Sequence, residues 1–284
     1  EFLMFGSKLF IREPIILAAN DINGGLSGRI KMEIGDRMST QIPRFEENFG
    51  STYLLVTPGT FLMGNISKNS PKRELPSHRV NIEQPFFFGQ MQVTQLHWQS
   101  VMGDNPAKFC DGWSAGLRPI ENVSWDDAQL FIAKLNAEHN DSPRLGLNGV
   151  WRLPSESEWE YAARAETSTR WSFGDRDSDL DEHGWHAGNS GASTREVGQK
   201  KANPWGFHDF HGNVSEWCLD DWCEDYMGAS SDQNAKKNSM ESRKVHRGGN
   251  WFTESDSTRC SARGFSEKNI SKDGIGIRLV WQPD

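Results

Sequence analysis

Two helix signals, both within the first 170 residues, constrain the fold more than any other feature of this sequence. The first is NVSWDDAQLFIAKLNAEH, in which Ser124 is a suitable N-cap, acidic residues fill the first turn and an apolar stripe follows. The second is RLPSESEWEYAARAE, in which Ser155 and Glu158 form a capping box. Both predict amphipathic helices, and a shorter helix is predicted after Thr94.

The second half of the chain has a different character. After about residue 170, Gly, Asn, Asp and Trp recur in short runs without helical periodicity. The chain has 12 Trp, 16 Phe and 27 Gly, which predicts a core of large rings held together by loops. Upstream, YLLVTPGTFLMG predicts a strand broken by a turn at Pro58 and Gly59. We therefore expect a loop-rich α+β domain over 51–284, preceded by an N-terminal extension over 1–50 whose strands pack on it.

Charge and hydropathy exclude two classes of partner. The formal net charge is −8 and the basic residues are scattered, whereas a nucleic-acid surface needs a clustered basic face. No apolar run approaches the roughly 18 residues that a membrane helix requires. No intact signal peptide is visible, so an exported form would be a chain from which the signal has been removed.

Four cysteines occur, at Cys110, Cys218, Cys223 and Cys260. An even number is compatible with two disulfides in an oxidising compartment, and equally with four thiols. Spacing alone leaves both alternatives open, although we favour at least one disulfide.

Six segments in register resemble the formylglycine-generating enzyme, or sulfatase-modifying factor, family. They cover residues 53–281 and read PGTFLMG, QPFFFGQMQVTQLHW, RPIENVSWDDAQLF, WRLPSESEWEYAARA, NPWGFHDFHGNVSEW and VHRGGNWF…RCSAR…IGIRLV. The resemblance implies a compact variant of the C-type-lectin-like fold, with low regular secondary structure and many loops.

The resemblance also bears on catalysis. The oxygen-dependent enzymes of this family bind copper through two cysteines that follow a Gly-Gly-x-aromatic motif. Here Thr253 takes the first position and the second falls near Ser257, and neither residue is a thiolate or a soft-metal ligand. We therefore expect no copper, no formylglycine-generating activity and no catalytic residues. By the same resemblance Cys260 is structural and bonded to Cys218, which leaves Cys110 and Cys223 as a second pair.

The segment DFHGNVSEW is similar to a calcium-binding loop of the family. The resemblance implies ligands from Asp209, the carbonyls of Gly212 and Val214, and the Glu216 carboxylate, all hard oxygen donors. The alternative is that Glu216 holds the loop without a metal. Two H-x-x-H pairs, His183 with His186 and His208 with His211, are better explained as loop histidines that make hydrogen bonds.

In this fold the segment after Gly249 lines the groove that the enzymes use for substrate. Aromatic side chains mixed with short polar ones are typical of adaptable binding surfaces. The predicted ligand-binding residues are Trp251, Phe252, Thr253, Glu254, Asp256, Ser257 and, on a second stretch, Phe265. The alternative is a solvated loop with Trp251 in the core.

Three functions compete. The favoured one is a non-catalytic binding or regulatory protein of the cell envelope, with a protein or a small ligand in its groove; family members of this kind accompany type VI secretion and kinase-linked signalling. The second is a cysteine-independent oxidoreductase or tailoring enzyme, such as one acting on a siderophore precursor. A true formylglycine-generating enzyme is the least favoured. From the four cysteines and the calcium loop that the resemblance implies, we expect the protein in the periplasm or at the cell surface.

Overall fold

The computed structural model of this chain describes residues 42–65, 70–140 and 142–284. In chain order the described strands are β1 (Arg44–Glu46), β2 (Thr52–Val56), β3 (Gly59–Met63), β4 (His78–Ile82), β5 (Phe86–Gly89), β6 (Gly149–Arg152), β7 (Ser215–Asp221), β8 (Arg243–Arg247), β9 (Arg263–Glu267), β10 (Ile275–Gly276) and β11 (Val280–Pro283). The break between β2 and β3 falls at the predicted Pro58-Gly59 turn.

The predicted helices form where their caps lie. They are α1 (Gln95–Met102), α2 (Trp125–Glu138) and α3 (Glu156–Arg164). Ser124 and Ser155 each make a complete capping box, and Thr94 accepts a hydrogen bond from the first turn of α1. In the described residues after 170 the only α-helix is the four-residue α4 (Leu180–His183), as the lack of helical periodicity predicts.

Three sheets organise the described residues. The largest has the order β1-β2-β5-β11-β6, the second β10-β7-β8-β9, and the third pairs β3 with β4. Because β11 inserts between β5 and β6, the C-terminal strand fixes the N-terminal half of the domain. The expected loop-rich α+β fold is confirmed.

Alternate residues of β5 face two different cores. Phe87 joins the cluster that contains α1 and α2, whereas Phe86 and Phe88 join the cluster that contains Trp159 of α3. This follows from the two-residue period of a strand. The large sheet therefore lies between two helical layers, and aromatic rings fill both cores.

Buried arginine–carboxylate pairs tie the loop-rich half to the rest of the domain. Arg259 donates to both oxygens of Glu74 at 2.7 and 2.9 Å, and Arg263 donates to both oxygens of Glu156 at 2.6 and 2.8 Å. Each pair joins residues more than a hundred positions apart. Such forked donors stabilise segments that have few backbone ladders of their own.

The predicted N-terminal extension is described only from residue 42. Its strand β1 pairs with β2 of the following domain, and Phe45 packs in the core that contains α1 and α2. The strand predicted in GRIKMEIGDR lies outside the described residues. None of the helices in the described ranges has the length and apolarity that a bilayer crossing requires.

Candidate binding surface

The predicted surface begins at a turn that only glycine accommodates. Gly249 has φ +67°, and a Cβ there would lie 2.8 Å from the side chain of Thr258 and 2.9 Å from the carbonyl of Ser257. The next turn is closed by Thr253, whose Oγ1 accepts from the amide of Asn250 at 2.9 Å and donates to its carbonyl at 3.0 Å. The Thr253 hydroxyl is therefore engaged in holding the turn.

Three aromatic rings and a lysine form what we call the aromatic surface: Phe109, Trp251, Phe252 and Lys108. Trp251 is half-buried, donates through Nε1 to the carbonyl of Asp273 at 2.8 Å, and meets Phe109 and Phe252 at 5.1 and 4.7 Å between ring centroids. Lys108 lies above Phe109 and Trp251 and pairs with the Asp273 carboxylate. Phe252 remains 51% exposed. The ring of Trp251 therefore packs against the domain, whereas the next side chain, Phe252, faces solvent.

The loop that carries Phe109 was not predicted from the sequence. Gln95 donates to the Phe109 carbonyl at 3.2 Å, Glu121 accepts from the Phe109 amide at 2.9 Å, and Asn122 donates to the carbonyl of Pro106 at 2.9 Å. The sequence signal for these contacts was the presence of polar residues in α1 and in RPIENVSW, among apolar neighbours. The sequence did not show that the loop of Phe109 is their hydrogen-bond partner.

Among the side chains that hold the loop of Phe109, Glu121 is unusual because it is a buried carboxyl. Its side chain is fully buried, Oε1 faces the Phe109 amide, and Oε2 has no partner in the described residues. Burial raises the pKa of Glu121 to about 7, with a further rise from the charge of Asp273. A carboxyl that titrates near neutrality thus lies under the aromatic surface.

The predicted acidic residues have different environments. Glu254 is exposed, and its carboxylate makes no hydrogen bond or ion pair in the described part of the chain. Asp256 is fixed by Arg170 at 2.7 Å and by Arg259 at 2.9 Å. Ser257 is exposed next to them. Glu254 is therefore the carboxylate available to a ligand beside Phe252, whereas Asp256 is partly committed to the scaffold.

Phe265 contacts residues other than those of the aromatic surface. It lies on β9, where its ring packs on Trp222 at 4.6 Å and under the Arg243 guanidinium at 4.9 Å. The described residues show no ring contact between Phe265 and Trp251 or Phe252. The side chain is 43% exposed and offers a matched control for Phe252.

The four residues predicted to bind calcium do converge, but on a side chain that was not predicted. Nε2 of Gln92 lies 3.3, 3.2 and 2.9 Å from the carbonyl oxygens of Asp209, Gly212 and Val214, and 3.0 Å from Oε1 of Glu216. Asp209 faces this point with its carbonyl, while its Oδ2 accepts from a backbone amide. We call these four oxygens and Gln92 the oxygen cage.

The charge of the cage is already balanced. Arg278 donates to both oxygens of Glu216 at 2.7 and 3.0 Å, and Trp159 donates to Oε2 at 2.7 Å. The oxygens are of the kind that calcium uses, but the amide nitrogen of Gln92 lies where the ion would sit. The four oxygens therefore suit calcium, but the Gln92 side chain occupies the space between them. Calcium binding at this loop stays a prediction.

The sequence profile of the sulfatase-modifying factor enzyme 1-like domain matches residues 38–283. The chain belongs to that family. The resemblance seen in the six sequence segments is thereby confirmed.

Relatives within the sulfatase-modifying factor family carry different names. The chaperone protein LppX of Paenibacillus barcinonensis is 28% identical over 69% of this chain and 79% of its own length. The serine/threonine-protein kinase pkn1 of Chlamydia caviae is 33% identical over 96% of this chain, which spans only 42% of that kinase. The solved structure of Treponema denticola variable protein 1 has a TM-score of 0.76 and 28% identity, covering 85% of this chain and 99% of that one.

All four cysteines are present as thiols in the structure of this family member. Cys218 and Cys260 are buried in the same hydrophobic cluster. Burial raises the pKa of Cys218 well above its usual value and that of Cys260 to about 11. The predicted disulfide between them stays a prediction, as does the pairing of exposed Cys110 with half-buried Cys223. As thiols, the two buried cysteines would be unreactive.

One histidine forms a serine–histidine contact that was missed from the sequence. Nε2 of His211 accepts from the Ser172 hydroxyl at 2.8 Å, and Nδ1 donates to the carbonyl of Thr258 at 2.9 Å. Both side chains are buried, and burial lowers the pKa of His211 to about 4. Without solvent access this pair joins three loops and is not a nucleophile and base. His208 likewise donates to a backbone carbonyl.

Proposed function

We propose that this chain is a non-catalytic binding domain whose aromatic surface receives a protein partner or a small ligand. The observation that carries the proposal is Phe252, half exposed on a base that Trp251 and Phe109 hold in place. An aromatic ring that is fixed before binding loses little conformational freedom in the complex, so its buried area contributes efficiently to affinity.

The polar neighbours support recognition of a ligand with both charged and apolar parts. Lys108, which also pairs with Asp273, lies above Phe109 and Trp251, and the exposed carboxylate of Glu254 lies two positions after Phe252 in the chain. Charged groups of both signs near an aromatic centre favour orientation of a peptide-like or similar mixed ligand.

A non-catalytic role is supported by what the side chains at this surface do. Thr253 holds the turn with its hydroxyl, and Asp256 pairs with two arginines. The cysteines of the chain lie at positions 110, 218, 223 and 260, outside the turn of residues 248–258. Catalysis of the kind that the cysteine enzymes perform needs an accessible, activated thiolate.

We place this activity at the cell envelope, in kinase-linked signalling or secretion. Support comes from the alignment of nearly the whole chain with less than half of the kinase pkn1, which is the pattern of a binding domain within a larger regulatory protein. The match to a chaperone protein likewise favours a protein partner over a small molecule.

The test is affinity capture from envelope extract with three immobilised forms: the native chain, a Phe252→Ala/Glu254→Ala variant and a Phe265→Ala control. Capture by the native chain and the control, with loss in the double variant, is the expected result. Capture that is equal in all three would place the binding surface elsewhere. A small molecule recovered in chemically altered form would instead favour the tailoring-enzyme alternative.

A further inference from the structure

The oxygen cage contains an internal donor at its centre. We propose that the side-chain amide of Gln92 takes the place of a cation, so that this domain is stabilised at the cage by N–H donors and is stable without calcium. The inference rests on the contacts of Gln92 and is independent of the proposed function.

The side-chain nitrogen of Gln92 occupies the position that a bound ion would take. Nε2 lies 2.9–3.3 Å from four oxygens at once, which is the position of a central ion and not that of a fifth ligand. Calcium binds oxygen at about 2.3 to 2.6 Å, so an ion in this cage has to displace the amide. The nitrogen and the ion are therefore mutually exclusive.

The orientation of the amide follows from the acceptors. If Nε2 and Oε1 of Gln92 were exchanged, an oxygen without a hydrogen would face three carbonyls and a carboxylate. Only the N–H₂ group supplies hydrogens to this set. The side chain is 2% exposed, so water cannot take over this task without a change in the packing.

The charge of the Glu216 carboxylate is already paired, which disfavours a cation in the cage. Glu216 is buried and is already neutralised by the two hydrogen bonds from Arg278. A divalent ion next to that guanidinium would meet a like charge in a site shielded from water, which is unfavourable. The neutral amide shares its two hydrogens among the four oxygens without adding charge, and its own Oε1 has no hydrogen-bond partner in the described residues. Asp209 contributes its carbonyl to the cage, its Oδ2 accepts from the amide of Gly198, and its Oδ1 has no hydrogen-bond partner in the described residues.

The experiment is thermal unfolding of the full chain in EDTA and in excess calcium chloride. We expect the native protein to have the same Tm in both. Gln92→Leu keeps the volume but removes the donors, and we expect its Tm to fall by about 5 °C in both conditions. Gln92→Ala vacates the centre of the cage, and we expect its Tm to fall in EDTA and to recover with calcium.

Gln90→Leu is the matched control. The side-chain amide of Gln90 donates one hydrogen bond, to the carbonyl of Gly206 outside the cage. We expect a smaller decrease in its Tm, independent of calcium. A native protein whose Tm falls in EDTA and recovers with calcium would overturn the inference. It would also be overturned if Gln92→Leu kept the native Tm, or if the Tm of Gln92→Ala were the same in EDTA and in calcium chloride. If Gln92→Leu does not fold, the native and alanine measurements still decide.

Discussion

We expect Glu121, which lies under the aromatic surface, to make the free energy of unfolding of the protein depend on pH. Its carboxyl is fully buried, one oxygen accepts from the Phe109 amide, and the other has no partner in the described residues. The change to test is Glu121→Gln, which keeps an acceptor for Phe109 but removes the ionisation. Asp273 and Lys108 are the charged groups whose fields act on this position, and both remain in the variant.

The magnitude follows from the pKa of Glu121. Burial raises it from 4.5 to about 7, so the folded protein holds this proton more tightly than the unfolded chain does. The associated stability is complete below pH 4.5 and is lost as the pH rises through 7. At about 1.4 kcal/mol per pH unit the loss is about 3 kcal/mol at most. The unpaired amide hydrogens of the glutamine would themselves cost about 1–3 kcal/mol at all pH values.

The assay is urea unfolding of both proteins from pH 4.5 to 8.5. We expect the free energy of unfolding of the native protein to decrease relative to that of Glu121→Gln between pH 5 and 8. Buried histidines with lowered pKa values, such as His211, oppose this trend because they lose stability on acidification. They contribute equally to both proteins and cancel in the difference. Parallel pH profiles would refute the buried, titrating carboxyl.

Three further predictions concern the scaffold. Arg259→Leu leaves Glu74 buried without its ion pair, so we expect the free energy of unfolding to fall by about 3–5 kcal/mol in urea titrations, and a loss below about 1 kcal/mol would contradict this. Gly212→Ala places a Cβ 2.0 Å from a main-chain carbonyl at φ +130°, so we expect little soluble protein, measured by expression yield; native yield and Tm would speak against the turn geometry. In the native protein we expect a thiol reagent to label exposed Cys110 rapidly and to leave buried Cys260 unmodified, by mass spectrometry. The same reagent in urea without reductant tests the disulfide, since a bonded Cys260 stays unlabelled and a free thiol reacts.

Features that depend on neighbouring residues were predictable from the sequence. The capping box at Ser155 and the N-cap at Ser124 place α3 and α2 because each cap and its partners in the first turn lie close in sequence. The absence of a long helix after residue 170 follows equally from local composition. Phe252 was predicted to line the groove after Gly249, and its side chain is 51% exposed.

The remaining features depend on contacts between distant positions. Gln92 meets residues more than a hundred positions away, and the polar pattern of QMQVTQ does not reveal which glutamine reaches them. Glu121 lies in an ordinary helix-entry motif, and its burial results from the loop that folds over it. Phe265 was predicted on a second stretch along the groove, and the packing of its ring on Trp222 was not visible from the sequence.

The central claim is that the surface around Phe252 binds a ligand, and an affinity comparison tests it most directly. The component captured by the native chain is purified, and its dissociation constant is measured by titration calorimetry against the native, Phe252→Ala and Phe265→Ala proteins. Loss of a fixed aromatic contact predicts binding weaker by about tenfold or more for Phe252→Ala. Phe265→Ala is expected to bind within about twofold of the native protein, since its ring lies elsewhere. Equal affinities for all three, or a loss confined to Phe265→Ala, would contradict the account.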